Sequence, residues 1–437
     1  MASTLITLAE IVLSSVRDLQ RICSDKGYAV PTLHDVFSSE SEAFRTDSDA
    51  CYSAKLAASA AMQLSSTLLP PSLTLYHGGA GHYTSAALRV VIECHVAEIL
   101  REAVLNGKQG LHAKKIDAFT GVDSVKLGRS LRLLATQLIF RESEPDVFAN
   151  NRISCLLDSA KPVEQILADR FHKYDGTGGF CGFLEDLTTV SHKTSTCVWE
   201  NMKDPITGHS VKLNHAPFQR AFRTQSTYFE WQKGKEQRYI RHRFNISMQG
   251  MASMRPANTI LTAFDWQSLA PNSIVVDVGG GLATSAAQIS QIKLVVQDLP
   301  AIVDQCKSEL SSSHPDLLES SRIDHDFFDA QPIRNASVFM MKQIIHDWSD
   351  ERCLVIVDTV LSYALTGSLG LNDSRTQRKA PAPLLSNFGP ANDLHAIMNG
   401  QERTLGQLTD ILHRTGWRIM RVNADGDYHQ PVIAVAV

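Results

Sequence analysis

The stretch SIVVDVGGGLATSAAQIS, Ser273 to Ser290, runs a β-branched strand into three glycines and then into small, helix-forming residues. A strand that ends in a glycine turn and opens a helix is the frame of a nucleotide-type pocket. Glycine lacks a Cβ, so the backbone there can turn tightly and approach a ligand. The order that follows extends this frame. IKLVVQDLP, ASVFMMK and the final VIAVAV read as strands, with helical patterns between them. Strands alternating with helices argue for an α/β, doubly wound, Rossmann-like sheet, whose ligand crevice lies at the carboxyl ends of the strands.

Two cofactors suit the turn. A dinucleotide needs G-x-G-x-x-G, and that register places Thr284 where the third glycine should stand. The D-x-G-x-G-x-G pattern of S-adenosylmethionine sites is met at Asp277, Gly279 and Gly281 but has Ala283 at its last position. S-adenosylmethionine carries no phosphate, so its sites tolerate more variation there. Asp298 ends the next strand, where a carboxylate can accept hydrogen bonds from both hydroxyls of a ribose. Further on, IDHDFFDAQP sets Asp326 and an aromatic after the third strand. IIHDWSDE sets His346, Asp347 and Trp348 just past the fourth. By itself His346 also fits a capping or core histidine ahead of the SDE helix.

The bulk composition narrows the partners. A chain of 437 residues is too long for a single core, so two domains are expected. A net charge of −4 gives no reason to expect a nucleic-acid partner. The eight cysteines form no CxxC and no Cys/His cluster, which reads as reduced thiols of a cytoplasmic protein and not as a disulfide framework or a metal site. The opening MASTLITLAEIVLSSVRDLQRI lacks a basic n-region and reads as an amphipathic helix. No apolar run reaches about 18 residues, so neither a signal peptide nor a membrane span is expected.

Residues 1–145 read as mostly helical. GLHAKKIDAFTGVDSVKLGRSLRLLATQLIFRESEPDVFANNRIS has the layout of a winged helix: helix, turn, helix, strand, turn, strand. DNA binding is one reading of it. Lys126, Arg129 and Arg132 are offset by Asp123, Glu142, Glu144 and Asp146, which favours a structural or dimerising role. Met248, Met251 and Met254 form a stripe that reads as core packing.

Taken together, VVDVGGG, LVVQDLP, HDFFDAQP, IIHDWSDE and NGQERTLGQL resemble the fungal S-adenosylmethionine-dependent O-methyltransferases, relatives of the plant caffeate O-methyltransferases. DVFSSESEAFR and LRLLATQLIFRESEPDVFANNRIS resemble the N-terminal domain of the same family. The resemblance implies a helical, winged-helix dimerisation domain over 1–160 and a class I methyltransferase domain over 161–437, acting as a homodimer on a small hydroxylated aromatic. It implies that Asp298 binds the ribose, that Asp326 and Phe327 hold the adenine, and that Lys342 lies beside the cofactor. Asp277, Gly279, Gly280, Gly281 and Leu299 complete that site. It further implies His346 as general base and Glu402 as the residue that orients it. Some methyltransferase-like proteins steer cyclisations without methyl transfer, and a non-catalytic member is a third possibility; the intact histidine argues for the transferase.

The second acid beside the base has two readings. LVIVDTVL resembles the family's fifth strand and nominates Asp358, but leaves almost no length for a crossover helix. Making Asp350–Leu365 the helix and LGLND the fifth strand keeps normal spacing and nominates Asp373. Chain geometry favours Asp373.

Overall fold

The computed structural model describes residues 4–253, 264–281, 292–300, 302–304, 321–333, 335–342, 344–364, 396–401, 403–422 and 432–436. Ala283, Met254, Asp373 and Glu402 lie outside these residues. The chain divides into two compact units. One comprises Met1–Thr196 and Phe229–Pro256, the other Cys197–Tyr228 and Ala257–Val437.

The first unit is mainly helical. Helices Gly81–Glu93 and Val96–Leu105 are separated by His95 in the left-handed region, φ 53°. Two further helices follow, and local chemistry explains the end of the first and the start of the second. Gly121, φ 66°, terminates Ala113–Thr120, and the Asp123 carboxylate accepts from Lys126 N–H to cap Ser124–Thr136. Strands β1 (Leu111–His112), β2 (Phe140–Glu144) and β3 (Val147–Asn150) form an antiparallel sheet in the order β1-β3-β2. Ile92, Leu100, Leu127, Leu131, Leu134 and Phe148 are buried together beneath these elements. Arg132 donates to Glu142 at 2.6 Å and to Asp146 at 2.8 Å, so the acids of the hairpin pair with a cation of the second helix.

Helix Arg238–Ser253 packs on Phe180–Asp186 through two glycines. A Cβ on Gly179 would strike the Ile246 carbonyl, and one on Gly250 would strike the backbone of Gly179. Helices that approach this closely bury polar groups as well. Arg243, 3% exposed, donates to Glu185 at 2.7 Å, to Asp186 at 2.9 Å and to Thr189 at 3.1 Å. Tyr239 and Tyr174 also donate to Glu185. Met248 is half-buried on this helix.

The second unit holds four parallel strands, β4 (Ile274–Val278), β5 (Lys293–Asp298), β6 (Ser321–Asp324) and β7 (Val338–Met340), in the order β6-β5-β4-β7. Val275, Val276, Val295 and Val296 are fully buried, as expected of strands covered on both faces. Residues 354–361 are helical, within Asp350–Ala364. The helix Leu405–Arg414 begins with a capping box, Thr404 and Gln407, and lies beside it. Cys353, Val357 and Ile411 form the core between the two, with Ile345, Trp348 and Trp417 packed against it. The last strands, β8 (Trp417–Val422) and β9 (Val432–Ala436), pair antiparallel with each other. VIAVAV therefore departs from the parallel order expected from strand–helix alternation. Among the described residues no helix is long and apolar enough to cross a membrane.

Removing one member of a buried ion-pair network leaves its partners charged and unpaired. Arg243→Ala is expected to destabilise the protein by about 3–5 kcal/mol, read as a lower urea midpoint in equilibrium unfolding.

Candidate active site

The glycine turn follows β4 directly and is held by the neighbouring strand. The Gln297 carbonyl oxygen accepts from both Gly279 N–H, at 2.8 Å, and Gly280 N–H, at 3.2 Å. Gly279 has φ 67° and Gly281 φ 53°, a region that L side chains rarely adopt. Space is as restrictive as torsion. A Cβ on Gly279 would collide with the Ile344 side chain, and one on Gly280 would lie 2.7 Å from the Asp277 carboxylate and 2.9 Å from Val296.

Asp298 closes the turn from the end of β5. Its carboxylate accepts from Gly281 N–H at 2.9 Å and from Leu299 N–H at 2.8 Å. Each carboxylate oxygen has further lone pairs, so two hydroxyl donors can still be received there. Burial raises the Asp298 carboxyl above its ordinary range, and those two backbone bonds oppose the rise. Asp277 lies deeper, 4% exposed. Burial pushes its carboxyl up to about 7, the Lys342 ammonium pulls it down, and Asp298 adds to the rise. Lys342 is thus within electrostatic reach of the turn, at the end of β7.

The residues after β6 reach the same end of the sheet. His325 N–H donates to the Asp298 carbonyl at 3.0 Å, which brings Asp326 and Phe327 up beside β5. Asp326 is exposed and Phe327 half-buried. Phe327, Phe328 and Trp348 form an edge-to-face cluster with centroids 4.7–5.7 Å apart. A side-chain pair that the motifs did not reveal fixes this segment. Gln297 and Gln331, 1% and 3% exposed, exchange two amide bonds of 2.6 and 2.9 Å. No local pattern marks them; the only available signal is a polar residue inside the buried run KLVVQD.

His346 follows β7 on the short turn Ile345–Asp347, its side chain 14% exposed. Ile344, two residues earlier, is the side chain that fills the space over Gly279. The Asp347 carboxylate lies 3.4 Å from His346 Nε2. Asp358 is exposed on the helix Asp350–Ala364. Asp277, Gly279, Gly280, Gly281, Asp298, Leu299, Asp326, Phe327, Lys342 and His346 therefore all belong to the strand ends and the loops leaving them. Leu299 is 49% exposed at the outer edge of that group.

The segment NGQERT holds the histidine turn. Gln401 N–H donates to the His346 carbonyl at 2.8 Å. Arg403 donates to the carbonyls of Ile345 and Trp348, each at 2.6 Å, and to Asp350 at 2.9 Å. The residue next to the nominated Glu402 is thus the one seen gripping the turn.

These features fit an adenosine-bearing sulfonium cofactor. Gly279 and Gly280 leave no room for a Cβ, and the acid ending β5 keeps acceptor capacity for a ribose. Residues 199–418 match the O-methyltransferase domain family. Over its whole length the chain is 36% identical to 4-O-methyltransferase 1 of Phanerochaete chrysosporium, with 100% of each protein covered. It is 34% identical to an O-methyltransferase of Armillaria gallica, covering 97% of this chain and 96% of that one. Among solved structures, LepI in complex with S-adenosylmethionine shares the fold, with a TM-score of 0.68 over 98% of both chains at 15% identity.

Asp277 supplies a pH test. A carboxyl whose folded pKa lies above its unfolded value of about 3.9 binds more protons when folded. Its contribution to stability is complete below pH 4 and is lost as pH rises through 7. Asp277→Asn, which cannot ionise, is expected to raise the melting temperature of the ligand-free protein at pH 8. At pH 4 it should change little. Thermal unfolding at the two pH values measures the difference.

Proposed function

The chain belongs to the O-methyltransferase family and is an S-adenosylmethionine-dependent O-methyltransferase, and from that premise we propose that it methylates a hydroxyl of a small aromatic molecule, of the secondary-metabolite kind, with His346 as general base. The observation that carries this reading is the position of the histidine turn. Ile344 packs over Gly279, so the backbone that bears His346 starts from the wall of the glycine turn.

In this reading Asp298 receives the ribose hydroxyls, Asp326 and Phe327 hold the adenine, and Lys342 stands beside the cofactor next to Asp277. Gly279 to Gly281 let the backbone close on it. When bound, S-adenosylmethionine supplies a methyl group on a sulfonium, and the C–S electron pair leaves with the sulfur as the new C–O bond forms. The protein's part is alignment and proton removal. A phenol of pKa about 10 is a poor nucleophile at neutral pH, and an imidazole with a reference pKa of about 6.5 can take its proton as the oxygen attacks. A carboxylate near the ring favours the imidazolium that results. Asp347 stands 3.4 Å from Nε2 and suits that role. Asp373 and Glu402 are proposed as further acids acting on the ring. Asp358, exposed on a helix, is not assigned a part.

His346→Ala is expected to lower the turnover rate by about 10²–10⁴-fold while leaving S-adenosylhomocysteine affinity nearly unchanged. Steady-state rates on a phenol panel, with calorimetry for the cofactor product, separate the two. Full activity in this variant would remove the base from the mechanism.

We further propose that the enzyme works as a homodimer. The N-terminal helices expose Ile6, Leu13, Leu68, Leu75 and Tyr76, each more than half accessible. Apolar area of that extent is what an isologous interface covers. Light scattering should return twice the 48.2 kDa of one chain at micromolar concentration. A mass equal to one chain would sink the proposal.

A further inference from the structure

Three carbonyls in the turn that bears His346 are taken by two residues of a distant segment. Arg403 Nη1 donates to the Ile345 oxygen and Nη2 to the Trp348 oxygen, each at 2.6 Å. Gln401 N–H takes the His346 oxygen between them at 2.8 Å. The Arg403 side chain is only 3% exposed, and its Nε and Nη2 both lie against Asp350 Oδ1, at 2.9 and 2.8 Å. Gln401 binds that same carboxylate oxygen at 2.8 Å. The position of Arg403 is itself fixed, because it directly precedes Thr404, the cap of the helix Leu405–Arg414.

This arrangement has a direct mechanical meaning. The direction in which the His346 ring leaves the backbone is set by the torsions of residues 345–348, and those torsions are pinned by the carbonyls they orient. A planar fork with donors at fixed angles can hold two carbonyls at once. An ammonium of similar charge is a single point and cannot reproduce that spacing. Among the described residues, none of Arg403's bonds goes to the glycine turn, to Asp298 or to the segment after β6.

We infer that Arg403 is a positioning residue for the base: its guanidinium fixes the turn so that the imidazole meets the substrate oxygen. The inference rests on the reading of His346 as general base. It deepens that reading, because it assigns to Arg403 a role in proton removal and none in cofactor binding. A misplaced base hurts only those substrates that need a proton removed. The size of the loss should therefore track the acidity of the phenol, which a general loosening of the protein would not produce.

The test uses the full chain and phenols that the unmodified enzyme methylates, spanning pKa about 7 to 10 and assayed at pH 8. Arg403→Lys should lower kcat by about 10–100-fold on the least acidic phenols. On those already ionised at the assay pH it should lower it by less than about 3-fold. The KM for S-adenosylmethionine and the affinity for S-adenosylhomocysteine should stay within about 2-fold of the unmodified enzyme. Added guanidinium should restore part of the activity of Arg403→Ala on the least acidic phenols. Equal losses across the series, or no loss, would overturn the inference. If Arg403→Lys fails to bind S-adenosylhomocysteine, Asp350→Asn decides. It removes the exposed carboxylate that holds Nε, and it should show the same dependence on phenol acidity at smaller size; a flat profile there would overturn the inference too. His346→Ala is run alongside: if it keeps full activity, the base reading itself falls, whatever the Arg403 variants do.

Discussion

One backbone oxygen organises the ligand end of the parallel sheet. The Gln297 carbonyl accepts two successive amides, Gly279 and Gly280, and so bends the chain out of β4 at the point where a side chain would collide. The same residue sends its amide inward to Gln331 and thereby ties down the segment that carries Asp326 and Phe327. A single position on β5 thus fixes the floor of the proposed pocket and one of its walls. Asp298, the next residue, adds the acid that receives Gly281 and Leu299. Because the strands are parallel, all of these groups emerge at one end of the sheet.

The other wall is built by a different route. The turn with His346 has no long helix or strand of its own, and its short segment owes its shape to acceptors turned toward Gln401 and Arg403. The core of Cys353, Val357 and Ile411 brings those donors within reach by packing two helices side by side. Apolar packing sets the distance and charged hydrogen bonds set the angle. The first unit follows the same division of labour, with close glycine contacts bringing two helices together and Arg243 joining them to Glu185 and Asp186.

Much of this was legible in the chain. The glycine turn and the acid ending the following strand are local features, one a matter of backbone freedom and the other of register, and both survive translation from sequence to structure. The length between Gln343 and Cys353 was enough to predict that LVIVDTVL is helix and not strand, despite its β-branched residues, because a parallel crossover needs a minimum of chain. What stayed hidden has a common cause. Gln297 with Gln331, and Arg403 with the carbonyls of 345 and 348, are polar pairings between segments far apart in sequence. Periodicity does not register them, and a polar residue in an apolar run does not name its partner. The antiparallel course of β9 was equally silent, since VIAVAV has the composition of a buried parallel strand and only its neighbour decides its direction.

Cys353 sits beneath the histidine turn, fully buried, with its sulfur 3.1 Å from the Ile345 carbonyl and 3.6 Å from that of Trp348. These are the two oxygens that Arg403 also holds. Burial pushes the thiol up to about 11, with Arg403 opposing the rise, so at neutral pH almost none of it is thiolate and reagents cannot reach it. It becomes reactive only when the turn and helices packed over it open and water enters. The molecule therefore carries its own clock for that opening: the rate at which an alkylating agent consumes this one sulfur counts how often the packing over it comes apart.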